Sequence, residues 1–343
     1  MRGAVLTAHG GLEVVQVVDD LPIPEPGRGE VRLRMKAAAL NRLDLWVRQG
    51  WKGLNLNMPH VICADGAGIV DALGEGVTAF EVGDHVSIDP TVVPPDAPMN
   101  GLENQARGAH ILGEHASGVA AEYVVLPTRN LHKMPQDFSF EGAAAAGLVY
   151  VTAWHSLMTR GGLRAGESVL IVGAGGGVNS ASIQIAKLAG AKVYIVGSDA
   201  EKCRKAEELG ADVTINRQEN PAWSKVMYQL TNKQGVDVVV DNVGQATLAD
   251  SIRSTKTGGR ILIVGNTSGP LTELDIRQIF TRQVSIIGST MGPHHDYIKV
   301  MDLVFAGKLQ PVIGKVFPLS EAQEAQRTLE EFETFGKVVL KID

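Results

Sequence analysis

The sequence has 343 residues, of which 44% are apolar, and a formal net charge of -6. A chain of this length exceeds what one hydrophobic core usually organises, so we predict two domains. Acidic and basic residues are interspersed, which excludes a basic face for nucleic acid, and no segment reaches the roughly 18 apolar residues of a membrane helix, so we expect a cytoplasmic protein. The only cysteines, Cys63 and Cys203, are too few for a disulfide framework or a zinc site of several cysteines.

Short β-rich runs occupy the first part of the chain, from Val31 to Leu126. They alternate with Gly, Pro and Asp turn signals, which is typical of a compact β barrel or sandwich. The runs are EVRLRMKAAAL, AGIVDALG, DHVSIDP and AEYVVLP, and the one long loop extends from Pro90 to Gly108.

From about residue 165, six apolar strand candidates alternate with segments of helical periodicity. This pattern predicts an α/β fold with a doubly wound parallel sheet that helices cover on both faces. The strand candidates are SVLIVGA, KVYIVGS, DVTIN, VDVVVDNV, RILIVGN and VSIIGST, and the helical segments are SASIQIAKLAG, EKCRKAEELG, AWSKVMYQLTN and LADSIRSTKTGG. Beyond Met291 we expect a helix, a strand, a helix and a strand that return to the first domain. The predicted domains are residues 1 to 125 with 296 to 343, and residues 126 to 295.

A glycine cluster lies between the first of these strands and its helix, in VLIVGAGGGVNSASIQIAKLAG. Glycine at Gly175, Gly176 and Gly177 lets the backbone approach a pyrophosphate, whose charge is stabilised at the helix N-terminus. Asn179 replaces the last glycine of the strict motif, which affects helix packing more than phosphate contact. The segment therefore predicts a dinucleotide site, and a tight turn without ligand is the alternative.

The second strand ends in VYIVGSDAEKCRK, where such a site recognises the adenosine ribose. An acidic side chain there binds the 2′-hydroxyl of NAD, whereas cations and hydroxyls bind the 2′-phosphate of NADP. Ser198, Lys202 and Arg204 favour NADP(H) over NAD(H). Asp199 leaves NAD(H) open, because a small shift of the loop would bring its carboxylate to the ribose.

The order of these parts resembles the medium-chain dehydrogenase/reductase superfamily over essentially the whole chain. The matching stretches include ALNRLDLWVRQG, GAGIVDALGEGV, AGLVYVTAWHSL, LRAGESVLIVGAGGGV, GSTMG and GKLQPVIGKVFPLSEAQEA. The resemblance implies a GroES-like β-rich first domain, a Rossmann second domain, and a small-molecule substrate bound near the nicotinamide. It also implies a homodimer or homotetramer that pairs through the apolar edge strand in RQVSIIGSTMG.

The zinc-dependent branch of this superfamily binds its catalytic metal with a Cys, a His and a second Cys or Asp. The matching positions here are Asn41, Ala64 and Leu148, which predicts that the chain has no catalytic zinc. The loop from Pro90 to Gly108 also lacks the four cysteines of that branch's structural zinc. One alternative is a metal site rebuilt from His60, Asp65, His110 and His115.

Asn41 followed by Asp44 in NRLDLW resembles the zinc-free quinone oxidoreductase and enoyl reductase branches, so both are candidate catalytic residues. The Asn41 amide is expected to donate to a substrate carbonyl or to hold the nicotinamide ribose. The enoyl reductase branch places a tyrosine acid after the RQG glycine, where this chain has Trp51 and Lys52, so the proton donor stays unassigned.

Further positions are assigned from the same resemblance. Arg42 and Lys337 match contacts to the pyrophosphate, and Thr152 matches a catalytic hydroxyl near the nicotinamide. The remaining cofactor candidates lie in GAGGGV, DNVG and VGNTSG, and they are Val178, Asn242, Gly265, Asn266 and Ser268.

Without a Lewis acid, oxidation of a simple alcohol lacks its usual means of removing a proton of high pKa. Hydride addition to a quinone or a carbonyl-conjugated alkene asks less of the protein, because the product oxyanion is resonance-stabilised. The sequence therefore predicts a zinc-independent NAD(P)H-dependent oxidoreductase of this kind. The alternatives are an alcohol dehydrogenase or ketone reductase of the same superfamily, and a non-catalytic nucleotide-binding protein.

Overall fold

The computed structural model describes residues 1–343, which divide into two compact units. Unit 1 comprises Met1–Leu148 and Pro293–Asp343, and unit 2 comprises Val149–Gly292. Residues 126 to 148 and 293 to 295, which we assigned to the second domain, therefore belong to unit 1. Residues 126 to 148 lie in unit 1 because strands after residue 122 pair with its sheet, and alanines of the following helix pack on that sheet.

Eighteen strands and nine α-helices form the two units. In chain order the strands are β1 (Gly3–Leu6), β2 (Val15–Val18), β3 (Glu30–Leu40), β4 (His60–Val61), β5 (Asp65–Leu73), β6 (His85–Ile88), β7 (Thr91–Val92), β8 (His110–Ile111), β9 (Tyr123–Pro127), β10 (Leu131–Lys133), β11 (Ser168–Val172), β12 (Lys192–Gly197), β13 (Val213–Asn216), β14 (Val236–Asp241), β15 (Thr255–Ile263), β16 (Ser285–Gly288), β17 (Ile313–Pro318) and β18 (Lys337–Lys341). The helices are α1 (Arg42–Gln49), α2 (Phe140–Trp154), α3 (Gly177–Leu188), α4 (Ala200–Glu208), α5 (Trp223–Leu230), α6 (Leu248–Ser254), α7 (Arg277–Phe280), α8 (His294–Phe305) and α9 (Ala322–Glu330). None of them is long and apolar enough to cross a membrane.

The main sheet of unit 1 has the strand order β10-β6-β5-β3-β18-β17, and β9 also pairs with β3. The four β-rich runs of the sequence correspond to β3, β5, β6 and β9. Period-two alternation along β3 buries Val31, Leu33 and Met35, as a strand with one face on a core requires. The first half of α2 packs on the same sheet, where Ala144 and Ala145 contact small residues of β3 and Val339 of β18.

The C-terminal tail forms α8, β17, α9 and β18, in the predicted order of helix, strand, helix and strand. β18 pairs antiparallel with β3, and its register sets Val338 opposite Leu40. This pairing brings Lys337 beside Asn41, the residue that follows β3 and caps α1.

Unit 2 contains one parallel sheet of order β13-β12-β11-β14-β15-β16, which confirms the predicted doubly wound fold. One segment differs from the prediction: LADSIRSTKTGG forms helix only to Ser254, and β15 begins at Thr255. The chain order reverses on either side of β11, and ligands bind such sheets outside the carboxyl ends of the strands at this point. The carboxyl ends of β11, β12, β14 and β15 therefore define the expected cofactor edge.

Candidate active site and cofactor site

A buried ion pair lies where β18 meets the end of β3. The Lys337 Nζ atom is 2.9 Å from Asp65 Oδ2, and the two side chains expose 4% and 0% of their surface. Asn41 Nδ2 donates to the same Asp65 oxygen at 2.9 Å, and Lys337 Nζ also donates to Asn41 Oδ1. We call these three side chains the buried triangle. Each charge within it has a partner, as burial of charged groups requires.

The contacts of the buried triangle fix the orientation of the Asn41 amide. An ammonium group only donates hydrogen bonds and a carboxylate only accepts them, so the atom facing Lys337 is Oδ1 and the atom facing Asp65 is Nδ2. The Nδ2 atom carries two hydrogens, and Asp65 takes one of them. Asn41 thus retains one oriented N–H donor.

Asp44 holds the backbone around the triangle. Its Oδ2 atom accepts from the Asn41 backbone N–H at 2.7 Å, and its Oδ1 atom accepts from the Cys63 backbone N–H at 2.8 Å. Burial raises the pKa of Asp44 to about 6, although these two hydrogen bonds and the Lys337 charge act in the opposite direction. Cys63 adopts a positive φ of 72°, which this hydrogen bond helps to maintain. Both oxygens of Asp44 therefore bind backbone, and its contribution to the site is positional.

The residues around the triangle do not fit a catalytic zinc. Ala64 has no donor atom, Leu148 contributes only a backbone N–H that donates to Asp65 Oδ1 at 2.6 Å, and the Asn41 amide is engaged. The Lys337 ammonium beside them opposes a second cation. Zinc requires several neutral imidazole, thiolate or carboxylate ligands converging on one point, and no group of three or more such side chains is placed in this way.

The four residues of the alternative metal site are not brought together. His60 Nε2 is hydrogen-bonded to the Gly113 carbonyl at 3.1 Å, and His110 Nδ1 to the Gly108 carbonyl at 3.0 Å. His115 instead pairs with the adjacent Glu114. Asp65 belongs to the buried triangle, so the rebuilt site is not supported.

Two candidates for pyrophosphate contact are already engaged within unit 1. Lys337 is buried in the triangle, and the Arg42 guanidinium lies 3.5 Å from the centre of the Phe332 ring. Burial lowers the pKa of Arg42. The family position of Lys337 indicated a phosphate contact, whereas the pairing of β18 with β3 directs this side chain to Asp65. A pyrophosphate contact from Arg42 stays a prediction.

The glycine loop of unit 2 has the geometry of a phosphate cradle. Gly176 caps α3 without any side-chain hydrogen bond, so the first N–H groups of the helix, at Gly177 and Val178, have no partner within it. A Cβ atom added at Gly176 would meet no atom within 4 Å, which shows open space in front of these donors. Gly173 has a φ of +102°, a conformation that side chains rarely adopt. The loop from Gly173 through Gly175 thus fits the pyrophosphate of a dinucleotide.

Asn179, in place of the last motif glycine, connects two strands of the sheet. Its Nδ2 atom donates to the Val172 carbonyl at 3.4 Å, and its Oδ1 atom accepts from Asn242 Nδ2. A Cβ atom at Gly173 would approach Asn179 Nδ2 to 2.7 Å. Asn179 therefore fastens the loop after β14 to the end of β11, and this use of Asn242 could not be inferred from its motif.

The loop from Gly265 to Ser268 lies against the loop after β14. A Cβ atom at Gly265 would be 2.9 Å from the Asn242 carbonyl oxygen, so this close approach requires glycine. Ser268 Oγ donates to the Val243 carbonyl at 2.7 Å and accepts from the Ala246 N–H at 2.9 Å. The Asn266 carbonyl accepts from the Gly269 N–H at 2.9 Å. Backbone N–H groups of Thr267 and Ser268 also donate to the Asn242 and Val243 carbonyls, so side chain and backbone together hold this loop against the loop after β14.

Thr152 is buried in unit 2, and its Oγ1 atom lies 3.9 Å from the Met291 sulfur. Its carbonyl accepts from Ser156 Oγ at 2.7 Å, and that hydroxyl also contacts Ser289 Oγ at 2.9 Å. A contact between Thr152 and a nicotinamide stays a prediction.

At the adenosine end, Asp199 caps α4 and binds the residues around it. Its carboxylate accepts from the Lys202 backbone N–H at 2.9 Å and from Ser198 Oγ at 2.7 Å, and it lies 3.2 Å from Lys202 Nζ. These contacts, the backbone hydrogen bond first, lower the pKa of Asp199. Lys202 Nζ also reaches Ser198 Oγ at 3.3 Å, so the hydroxyl and the cation are together.

Arg204 is not brought to this group. It lies two residues beyond Lys202, on the opposite side of α4, and it pairs with Glu208. Arg217 is a cation that the motif does not include: its backbone N–H donates to the Gly197 carbonyl at 3.0 Å, and its side chain is exposed and has no ion-pair partner. The arginine directly after the third strand candidate was a usable signal, because β13 lies beside β12 in the sheet.

Comparisons with known proteins match two family models to this chain. The family model of the alcohol dehydrogenase GroES-like domain matches residues 27–136, and that of zinc-binding dehydrogenases matches residues 177–306. Relatives include a zinc-type alcohol dehydrogenase-like protein of Schizosaccharomyces pombe, 34% identical over 92% of this chain and 91% of the relative. The quinone oxidoreductase of Lama guanicoe is 30% identical over 99% and 97%, and the acryloyl-coenzyme A reductase of Sulfurisphaera tokodaii is 30% identical over 94% and 96%. A solved NAD-dependent alcohol dehydrogenase is 47% identical with a TM-score of 0.96, and the match covers 100% of both chains.

Proposed function

Because this chain belongs to the medium-chain dehydrogenase/reductase superfamily, it is an oxidoreductase, and we propose that it transfers hydride from NAD(P)H, independently of zinc, to a quinone or a carbonyl-conjugated alkene. The observation that carries this proposal is the buried triangle, in which Lys337, Asp65 and Asn41 occupy the space around positions that have no metal donors. The quinone oxidoreductase and acryloyl-coenzyme A reductase relatives act, by name, on these two acceptor classes.

The bound nicotinamide would supply the hydride. Within unit 1, Asn41 would offer its remaining N–H to the substrate oxygen, where negative charge develops as hydride arrives. Lys337 and Asp65 hold the amide so that the nitrogen, and not the oxygen, is presented. Asp44 fixes the backbone of Asn41 and needs no proton transfer of its own.

We propose that NADP(H) is preferred over NAD(H). Ser198, Lys202 and Arg217 provide a hydroxyl and two cations near the end of β12, which suit a 2′-phosphate. The Asp199 carboxylate already accepts hydrogen bonds from Lys202 and Ser198, so it has less capacity for a ribose hydroxyl.

A second candidate function is an alcohol dehydrogenase or ketone reductase. The NAD-dependent alcohol dehydrogenase that is 47% identical favours this candidate. Steady-state rates with matched quinones, enones, ketones and secondary alcohols separate the two, measured with each coenzyme and with metal content determined on the same preparation. We expect turnover of quinones or enones, no stoichiometric zinc and no loss of rate in chelator. One zinc per chain with secondary alcohols as the best substrates would overturn the proposal, and tight NADPH binding without any turnover would identify a non-catalytic protein.

A further inference from the structure

Asn100 and Gly101 form the only asparagine–glycine pair in the chain, and they lie in the long loop from Pro90 to Gly108. Asn100 is exposed, and Gly101 has a φ of +84°. Asparagine is a thermolabile residue, because a backbone nitrogen that follows it can attack its side-chain amide. Glycine has no Cβ atom to hinder that nitrogen. The pair is therefore the position in this chain where such a reaction meets the least steric resistance.

The backbone of Leu102 polarises the Asn100 amide. Its N–H donates to Asn100 Oδ1 at 3.1 Å. An asparagine side chain that binds the backbone two residues on closes a turn, and the ring of this turn contains both the amide carbon Cγ and the Gly101 nitrogen. A donor at Oδ1 also stabilises the negative charge that this oxygen acquires when a nucleophile adds to the amide. The fold thus holds the amide beside its nucleophile, with an oxyanion donor in place.

Glu103 provides an acceptor for the proton of that nucleophile. Its Oε2 atom accepts a hydrogen bond from the Gly101 N–H at 2.8 Å. Glu103 is only 3% exposed, and its Oε1 atom accepts from the His294 backbone N–H of α8 at 2.9 Å. A carboxylate fixed by α8 therefore binds the hydrogen that must leave when Gly101 attacks. A nucleophile with an adjacent base and an oxyanion donor is the arrangement that acyl transfer uses.

We propose that Asn100 is a site of self-modification, at which the folded loop converts the asparagine to aspartate or isoaspartate. The Gly101 nitrogen forms a bond to Asn100 Cγ as its proton passes to Glu103. The bond from Cγ to Nδ2 then breaks, and the departing amine takes that proton and leaves as ammonia. Water hydrolyses one of the two carbonyl–nitrogen bonds of the resulting succinimide ring, which gives either product. Water is the only co-reactant.

The modification changes how the loop is attached to α8. Either product replaces a neutral amide with a carboxylate, and isoaspartate also inserts one methylene into the backbone before Gly101. The inserted atom displaces the Gly101 N–H from Glu103, the residue that also binds the His294 N–H at the start of α8. The modified loop is therefore expected to be cleaved faster by protease than the original loop. All of these residues belong to unit 1, so the proposal does not depend on hydride transfer.

The test follows Asn100 by peptide mass spectrometry in the full chain, folded and in urea, at one pH and temperature. We expect faster modification in the folded chain, because the base and the oxyanion donor are assembled only there. Glu103→Gln keeps an oxygen for α8 but has no base, so it should slow the folded reaction about tenfold or more and leave the rate in urea unchanged. Asn232 is the matched control and should stay intact, because it is exposed but precedes Lys233, whose N–H donates to the Tyr228 carbonyl at 2.7 Å.

The wild type alone decides the proposal, even if Glu103→Gln does not fold. Modification of Asn100 in the folded chain at or below the rate in urea would overturn it. A folded Glu103→Gln chain that is modified as fast as the wild type would also overturn it. Modification of Asn232 at the rate of Asn100 would show that exposure suffices, and that the contacts of Glu103 and Leu102 have no part in the reaction.

Discussion

Replacing Lys337 with methionine should destabilise unit 1 strongly, because it leaves the fully buried Asp65 carboxylate without its cation. Breaking a buried ion pair by removing one partner costs about 3 to 5 kcal/mol. Asn41 Oδ1 would lose its donor in the same change. For a unit of this size, each kcal/mol shifts the melting temperature by about 2 to 4 °C, so we expect a decrease of about 6 to 20 °C.

The assay is thermal unfolding of the wild type and three variants without coenzyme. Lys341→Met is the matched control, since Lys341 lies on the same strand, is exposed and has no ion-pair partner. Its effect should stay within about 0.5 kcal/mol. Adding Asp65→Asn to Lys337→Met removes the unpaired charge and should recover part of the loss. If Lys337→Met melts as the control does, Lys337 and Asp65 do not form a buried ion pair.

Three other predictions concern the coenzyme, pH and assembly. Lys202→Ala and Arg217→Ala should each weaken NADPH binding roughly 10- to 100-fold and leave NADH almost unchanged, because a charge-assisted contact contributes about 1.5 to 3 kcal/mol; unchanged titrations with NADPH would remove these side chains from the site. The pKa of Asp44 is raised on folding from 3.8 to about 6, so its stabilising effect is complete below pH 3.8 and is lost as pH rises through 6. The stability of the wild type relative to Asp44→Asn should therefore fall by about 2 kcal/mol between pH 4 and pH 7, and a constant difference in denaturant unfolding would contradict the raised pKa. β16 is an edge strand with Ile286 40% exposed, so we propose that it pairs with a second copy; light scattering should give a dimer or tetramer, and a monomer at micromolar concentration would be evidence against this pairing.

The sequence predicted those parts of the fold that depend on local periodicity. The alternation in EVRLRMKAAAL is β3, and the apolar runs from residue 168 onward are the parallel strands of unit 2. For Lys337 the sequence indicated a phosphate contact, whereas the structure places this side chain beside Asn41. The two residues are 296 positions apart, and the register of β18 with β3 brings them together. No local pattern carries that information.

The cations near the end of β12 also could not be assigned from local sequence alone. Helix geometry alone separates Arg204 from Lys202, since two residues correspond to about 200° around the axis. Arg217 follows a different strand, and only the sheet order brings that strand beside Gly197. Reading the ends of neighbouring strands together would have included it.

The buried triangle also bears on which substrates are reduced fastest. A catalytic zinc ion is a Lewis acid that coordinates the substrate oxygen directly, whereas the Lys337 ammonium is already paired with Asp65 at 2.9 Å. Under the proposed function, the substrate oxygen would have only the single N–H of Asn41, and one such donor stabilises a developing oxyanion by about 3 kcal/mol. That contribution serves an enolate or a hydroquinone anion, in which conjugation spreads the charge, better than a simple alkoxide. With matched substrates we therefore expect turnover to fall from quinones and enones to saturated ketones, and a saturated ketone reduced as fast as its enone would show that another group polarises the oxygen.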